Sequence, residues 1–542
     1  MNSWIRHCIG TCILGVEVAE RFAYYGISCN LITYLTGPLG QSMATAAGNV
    51  NAWSGTASLL PLLGAFVADS FLGRYRTIVI ASLIYILGLG LLTLSAMLPS
   101  SLITSSDNLD TKIKLSSSNQ VQEILLFVSL YIVAVGQGGH KPCVQAFGAD
   151  QFDGQDREEC KAKRSFFNWW YFGVCAGSTV TTVMMSYIQD NLSWGLGFGF
   201  PCFVMVFALG VFLLGTSTYR YSVKGKGKSP FVRIGRVFVA ALRNWRTTPS
   251  ALATEEEVGR DLRHHSSEPF KFLNKALPSA DGSKREGEVC TIIEVEEAKA
   301  ALRLIPIWAT SLGYGIVLAQ VSTFFTKQGA TMDRTIFPGF NMPAASLQCF
   351  MGLAVVLFIP IYDLIFVPTA RTFTRKLNGI TLLQRIGTGM FLSVMCMVVA
   401  AQIEMKRLKT AQEYGLVDMP DVTIPMSILW LVPQYVLCGV ADVFTMVGLQ
   451  EFFYDQVPIE LRSVGLALYL CIIGAGNFLS SFLVSAIEEV TGGDGRDNWF
   501  ADNLNRAHLD YFYLVLAGIS VVAFAAYLYF AKSYIYNRRS IC

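Results

Sequence analysis

Residues 13–35 read ILGVEVAERFAYYGISCNLITYL, an apolar run interrupted by Glu17, Glu20, Arg21, Tyr24 and Tyr25. A hydrocarbon core about 30 Å thick takes roughly 20 apolar helical residues per crossing, and this run is long enough. In a helix, positions 17, 20, 21 and 24 follow the i, i+3, i+4, i+7 spacing, so two carboxylates, a guanidinium and a phenol share one face. Ionisable groups at membrane depth are expensive and face a bundle interior or a wet cavity rather than lipid. Glu17 and Arg21 can pair directly. The second carboxylate then remains as a proton-accepting site, which a mere interhelical lock would not need.

Composition extends this reading to the whole chain. Its 542 residues are 53% hydrophobic and 15% charged, with a mean hydropathy of +0.45. A soluble domain carries roughly 25% charged residues. So few charges could not cover the surface of a soluble protein of this size, which argues against a soluble enzyme, a secreted disulfide scaffold, a nucleic-acid binder and a disordered chain. The 13 cysteines include no C-x-x-C pair and read as small, reduced, buried apolar residues. His264 and His265 sit in a polar stretch without partner ligands, so no metal and no cofactor is expected.

Twelve segments are long and apolar enough to cross a membrane: 8–36, 47–71, 76–98, 121–148, 165–188 and 196–217, then 300–322, 342–367, 379–402, 423–450, 460–487 and 509–532. Backbone groups in lipid must be satisfied internally, so all are helices. The organisation is an N-terminal six-helix bundle (8–217), a linker (218–299), a C-terminal six-helix bundle (300–532) and a tail (533–542). The first segment is too long and too charged for a signal h-region.

Lys and Arg set the orientation. Loops 37–46 and 189–195 have none. Loop 2–3 carries Arg74 and Arg76, loop 4–5 carries Arg157, Lys161, Lys163 and Arg164, and loop 8–9 carries Arg371, Arg375 and Lys376. The linker begins with Lys224, Lys226, Lys228, Arg233, Arg236, Arg243 and Arg246. These basic loops share one side, read as cytoplasmic together with both termini and the linker. Lys406, Arg407 and Lys409, placed in loop 9–10, go against the trend. Residues 230–244 can form a basic amphipathic helix on the membrane surface or a solvated connector, and 294–299 read as the polar first turn of helix seven.

Three further sites carry charge in or beside the apolar runs. In segment four, Gly136-Gln137-Gly138-Gly139-His140-Lys141-Pro142 puts a lysine beside a proline expected to interrupt the helix; His140, diverging from Lys141, is assigned to packing. In segment ten, Asp442 is the one carboxylate well inside the span. Segments four and ten are equivalent members of the two halves, and Lys141 and Asp442 each follow a glycine by three residues. If the halves face each other, this pair meets near the midplane of a pseudo-symmetric transporter. At the turn between segments two and three, Asp69 and Arg74 read as a brace between helices, with Asp363 and Arg371 as its second-half counterpart. Tyr24, Tyr25, Tyr314 and Gln320 are candidate pocket residues. Trp169, Trp170, Phe324 and Phe325 read as packing.

In order along the chain, Glu17-x-x-Glu20-Arg21-Phe-x-Tyr24-Tyr25-Gly26, Asp69-Ser-Phe-Leu-Gly73-Arg74, Lys141-Pro142, Phe147-Gly-Ala-Asp150-Gln-Phe-Asp153, Phe166-Phe-Asn168-Trp, Gln384-Arg385-Ile-Gly387 and Gln450-Glu451-Phe-Phe-Tyr454 resemble the plant nitrate/peptide transporter family. That family is a branch of the proton-coupled oligopeptide transporters in the major facilitator superfamily. The resemblance implies an all-α polytopic membrane protein with the major facilitator fold, twelve transmembrane helices in two six-helix bundles, working as an alternating-access, proton-coupled symporter. It implies proton coupling at Glu17, Glu20 and Arg21, and a substrate or salt-bridge switch at Lys141 and Asp442. The family's usual Glu is Asp442 here, one methylene shorter.

Departures from the family pattern bear on substrate. The helix-seven histidine of the best-known nitrate-transporting member is Leu318 here, so nitrate binding by that device is excluded, though nitrate as substrate is not. Bacterial peptide-transporting relatives carry an acidic residue where this chain has Ala319. An Asn common in the fifth helix is Cys175. Thr77 matches a position phosphorylated in one member and equally reads as an unmodified helix-start threonine. Relatives usually carry a longer tail before the position of Cys8. The substrate is then a small molecule or ion (nitrate, a di- or tripeptide, or a plant metabolite), protons are the coupling ion, the surroundings are membrane lipid, and the membrane is plasma or vacuolar. An uncoupled facilitator and a non-transporting receptor on the same fold are the alternatives.

Overall fold

The computed structural model describes residues 3–98, 109–151, 157–221, 230–244, 270–276, 290–374, 380–456, 462–492 and 498–534. Segments one to six are α1 (Ser3–Ser28) with the short α2 (Leu31–Thr36), α3 (Met43–Val67), α4 (Arg74–Met97), α5 (Leu109–Ala149), α6 (Arg157–Asn191) and α7 (Trp194–Leu214). The linker supplies α8 (Pro230–Arg243). Segments seven to twelve are α9 (Ile292–Leu318) with α10 (Phe324–Ala330), α11 (Gln348–Ile361) continued by α12 (Val367–Thr374), then α13 (Leu382–Glu413), α14 (Val432–Asp455), α15 (Arg462–Thr491) and α16 (Leu509–Ser533). Ten stretches among the described residues are long and apolar enough to cross a membrane. The two remaining segments, α1 and α6, form helices that carry the charges noted in the sequence.

Local chemistry explains several helix ends. Ser42 and Ser193 cap α3 and α7 by accepting from Thr45 N and Leu196 N. Thr291 and Glu294 close a reciprocal capping box at α9, and Thr381 with Gln384 does so at α13. The polar first turn expected at 294–299 is therefore the capped start of a transmembrane helix.

Three sequence expectations change. Pro142 does not interrupt α5, which runs unbroken from Leu109 to Ala149. A proline removes one donor, and in a packed membrane helix neighbours absorb that loss. The adjacent glycines do provide close approach: a Cβ at Gly64 would overlap the Gly138 carbonyl, so α3 and α5 meet backbone to backbone. Segment one divides at Cys29–Asn30, where α1 ends and α2 begins. Finally, Lys406, Arg407 and Lys409 are not in a loop. They lie on α13, which continues to Glu413 because Arg407 is buried and fully bonded there.

Hydrogen bonds between the two sets of six gather at the end where α1, α6 and α9 finish and α3, α11 and α16 begin. Lys327 Nζ donates to Thr36 Oγ1 at 2.8 Å, Gln348 Nε2 to the Cys29 carbonyl at 2.9 Å, and Met43 N to Asp502 Oδ1 at 3.0 Å. Ser481 Oγ donates to the Gly48 carbonyl and Asn51 Nδ2 to Ser480 Oγ, both at 3.1 Å. Arg334 stands 3.9 Å from Asp190 across the same seam. Small strands stiffen this end: Met332–Asp333 pairs in parallel with Ile424–Ser427, and Thr335–Phe337 with Phe340–Asn341 as a hairpin. The linker helix α8 buries Val237, Ala240 and Ala241 against Val295 and Ala298 of α9, and Arg233 pairs with Glu297 at 3.4 Å.

Candidate functional site

The site begins with α1. One helical turn separates Glu17 from Arg21, and the guanidinium folds back onto the carboxylate: Nε and Nη2 both reach Glu17 Oε1, at 3.0 and 2.8 Å. Arg21 Nε is also 3.5 Å from Glu20 Oε2. Glu17 is 1% exposed and Glu20 0%. Glu17 Oε2 and both Glu20 oxygens accept no hydrogen bond from the described residues. One guanidinium therefore faces two buried carboxylates, and the surplus carboxylate has room for a proton.

Tyr24 and Tyr25 lie one turn further along. Tyr24 stacks on Trp53 of α3 at 5.6 Å and meets Tyr25 edge-on at 5.4 Å. Trp53 is fixed by donating Nε1 to the Leu130 carbonyl at 2.8 Å. These aromatics make a wall that joins α1, α3 and α5.

Lys141 on α5 is half-buried, and the charges acting on it are Arg21, Glu20 and Glu17. Among the described residues it forms no ion pair within 4.0 Å. The structure does not join it to Asp442. Instead, Asp442 Oδ1 accepts from Tyr314 Oη of α9 at 3.0 Å. Two phenols, Tyr25 of α1 and Tyr469 of α15, each feel both Arg21 and Asp442. Tyr469 escaped the sequence reading; a tyrosine in an otherwise apolar stretch of segment eleven was the available signal.

Other singled-out residues fall elsewhere. Gln320 is fully buried, and its Nε2 donates to the Ile316 carbonyl and to Ser480 Oγ at 2.9 and 3.0 Å. It belongs to the seam between the halves, apart from the Arg21–Lys141 cluster. Phe324 and Phe325 are packing, as read: Phe324 stacks on Phe500 at 5.1 Å and Phe325 meets Tyr435 at 5.5 Å. Arg74 forms an ion pair with Asp150, a residue of the Phe147–Asp153 motif. Arg385 contacts Glu451 at 3.5 Å, donates to the Val443 carbonyl at 3.1 Å and covers the Tyr362 ring at 4.2 Å. Thr77 is buried, and its Oγ1 donates to the Gly73 carbonyl at 3.0 Å. The side chains of Asp69, Asp363, Arg371, Trp169 and Trp170, together with residues 264 and 265, lie outside the described set.

Two sets of six helices, joined at one end and holding a buried acid–base cluster, define a polytopic helical membrane protein of the major facilitator architecture. The chain belongs to the POT family, whose PTR2 model matches residues 75–500. It is 64% identical over 526 residues to the Arabidopsis thaliana protein NRT1/PTR FAMILY 5.10, covering 97% of this chain and 92% of that one. Among solved structures, an auto-inhibited POT family peptide transporter superposes with a TM-score of 0.72 at 21% identity, covering 98% of each chain. A POT family transporter in complex with 5-aminolevulinic acid gives 0.65 at 16% identity, covering 97% of this chain and 96% of that one. The protein is accordingly a transporter and not an enzyme.

Proposed function

We propose that the protein is a proton-coupled symporter that carries a small solute by alternating access. The observation that carries this reading is the pairing of one buried guanidinium, Arg21, with two buried carboxylates, beside a lysine without an ion-pair partner among the described residues. Protons load Glu17 and Glu20 and release Arg21 from them. The solute binds between the halves near Lys141, within the wall formed by Tyr24, Tyr25 and Tyr314. Making and breaking a Lys141–Asp442 pair weights one conformation against the other.

The basic loops put the joined end away from the cytoplasm and both termini within it. The conformation described above is then closed on the outer side. In it Asp442 is held by Tyr314, which leaves Lys141 available to solute. A plasma-membrane location gives uptake into the cell. On a vacuolar membrane the acidic lumen drives solute toward the cytosol.

The driving force suffices. One pH unit supplies about 1.4 kcal/mol and 100 mV about 2.3 kcal/mol per charge. Together these support roughly 500-fold accumulation of a neutral solute per proton. An anion such as nitrate requires two protons to keep net inward charge movement on a plasma membrane. The solute is nitrate, a di- or tripeptide or a plant metabolite. Leu318 and Ala319 stand where nitrate- and peptide-binding relatives place a His and an acid, which favours a different mode of recognition from either. The 5-aminolevulinic acid bound by a relative supports a small polar solute. A panel uptake assay in a heterologous membrane, run across pH with currents recorded, tests the proposal. Solute uptake that rises with acidity and carries inward current supports it; uptake indifferent to pH and electrically silent counts against it.

A further inference from the structure

His140 precedes Lys141 on α5, where the sequence reading gave it a packing role. It is fully buried, and neither Nδ1 nor Nε2 has a hydrogen-bond partner among the described residues. The charges acting on it are Glu20 and Arg21 of α1. Glu20 is itself fully buried with both oxygens unbonded. Tyr85 of α4, fully buried with an unbonded hydroxyl, feels the same Glu20 together with Tyr24, Arg21 and Glu17. Two unsatisfied polar groups, from α5 and α4, thus feel one unbonded carboxylate of α1.

The elements packed on α5 are α4, α3, α1 and α6. The described ionisable side chains of α1 are Glu17, Glu20, Arg21, Tyr24 and Tyr25, and those of α4 Arg74, Tyr75, Arg76 and Tyr85; of these, Glu20 and Arg21 act on His140. Helix α3 has no ionisable side chain. The described side chains of α6 offer Cys175, Tyr187 and Asp190, none of which acts on His140. On α5 itself Lys141 feels the same Arg21 and Glu20, together with Glu17. A buried imidazole with both nitrogens unbonded is costly, and an apolar side chain of similar size would pack there without that cost. Beside an ionisable carboxylate, such an imidazole is a proton acceptor.

We propose that His140 and Glu20 hold the coupling proton jointly. This rests on the proton-coupled reading above and adds a second residue to it. One proton enters the pair and resides either on the Glu20 carboxyl or on an imidazole nitrogen. Exchange between the two sites moves only that proton and leaves the net charge of the pair unchanged. Two sites sharing a proton bind it more tightly than either does alone, and the titration belongs to the pair.

The test is solid-state NMR of the purified full-length chain in lipid nanodiscs, with ¹⁵N-labelled histidine and the His140 signals assigned by their loss in His140→Gln. No solute is needed. The expected result is that the His140 nitrogens change protonation between pH 4 and pH 8, and that Glu20→Gln moves this midpoint to lower pH by roughly one unit. Glu20→Asp, which keeps a carboxylate one methylene back, produces a smaller shift in the same direction and serves if the Gln variant does not fold. A His140 that stays neutral throughout, or one whose titration ignores both Glu20 variants, overturns the proposal. The proton-coupled reading fails separately, if Glu20→Gln leaves pH-dependent uptake intact.

Discussion

Tyr314 Oη donates to Asp442 Oδ1 at 3.0 Å, and this bond holds the carboxylate that pseudo-symmetry assigns to Lys141. Both partners belong to the second set of six helices, whereas Lys141 belongs to the first. In this conformation the Asp442 charge is satisfied within its own half, and Lys141 sees only the charges of α1.

Tyr314→Phe is therefore expected to free Asp442 for Lys141 and to disfavour the conformation described here. A hydrogen bond to a charged group contributes about 1.5–3 kcal/mol, which corresponds to uptake slowed by roughly 10- to 150-fold at normal surface expression. Uptake by Tyr314→Phe, Asp442→Asn and the double variant checks it. The double variant should be no slower than Asp442→Asn, because the two residues act as one unit.

Lys327 and Arg334 both reach across the seam between the halves, but with different expected consequences. Lys327 is half-buried with one hydroxyl partner, Thr36. Burial pushes its ammonium below the ordinary lysine value, and Asp502 opposes the shift. The closed seam thus binds this proton more weakly than an open one. Closure gains as pH rises from the depressed value toward the ordinary one, and loses that gain as pH falls. Lys327→Met removes the penalty and should raise the closed population several-fold while abolishing this pH dependence. Arg334 is 41% exposed and 3.9 Å from Asp190, so Arg334→Ala should change little, since such pairs contribute roughly 0–1 kcal/mol. Distance distributions between spin labels at Pro38 and Phe337 read both.

Arg407 is fully buried with Glu404, bonded through Nε at 2.8 Å and Nη2 at 2.6 Å, and it also donates to Asn505 Oδ1 at 2.9 Å and the Leu504 carbonyl at 2.7 Å. Arg407→Leu strands a buried carboxylate and should destabilise the protein by about 3–5 kcal/mol. A thermal melt of the purified protein checks this. Lys409→Ala, which breaks an exposed pair with Glu413, should leave the melt unchanged, and Arg407→Leu combined with Glu404→Leu should recover part of the loss.

The helices were legible because apolar length is a local property, and so was the Glu17–Glu20–Arg21 face, which one helix makes by itself. Arg407 misled because a charge reads as a loop until its partners are known, and two of those partners lie on the last helix–helix connection, at 504–505. Arg74 and Asp150 were both visible as motif residues, yet no local spacing joins residues 76 positions apart. Lys141 and Asp442 were matched by symmetry, which identifies equivalent helices but not which side chain occupies which acceptor in a given conformation. Tyr314 supplied that answer from a third helix. His140 reads as packing because neighbouring side chains on a helix diverge; its two unbonded nitrogens, and the Glu20 charge that acts on it from another helix, are not visible in local spacing.

The central claim is that the carboxylates beside Arg21 couple protons to solute movement. Its most direct test is uptake by Glu20→Gln across external pH, with currents recorded and surface expression matched to the native chain. The account predicts that the native protein takes up solute faster and with more inward current as pH falls, whereas Glu20→Gln gives a flat profile. A Glu20→Gln protein that retains the native pH dependence and current would contradict it.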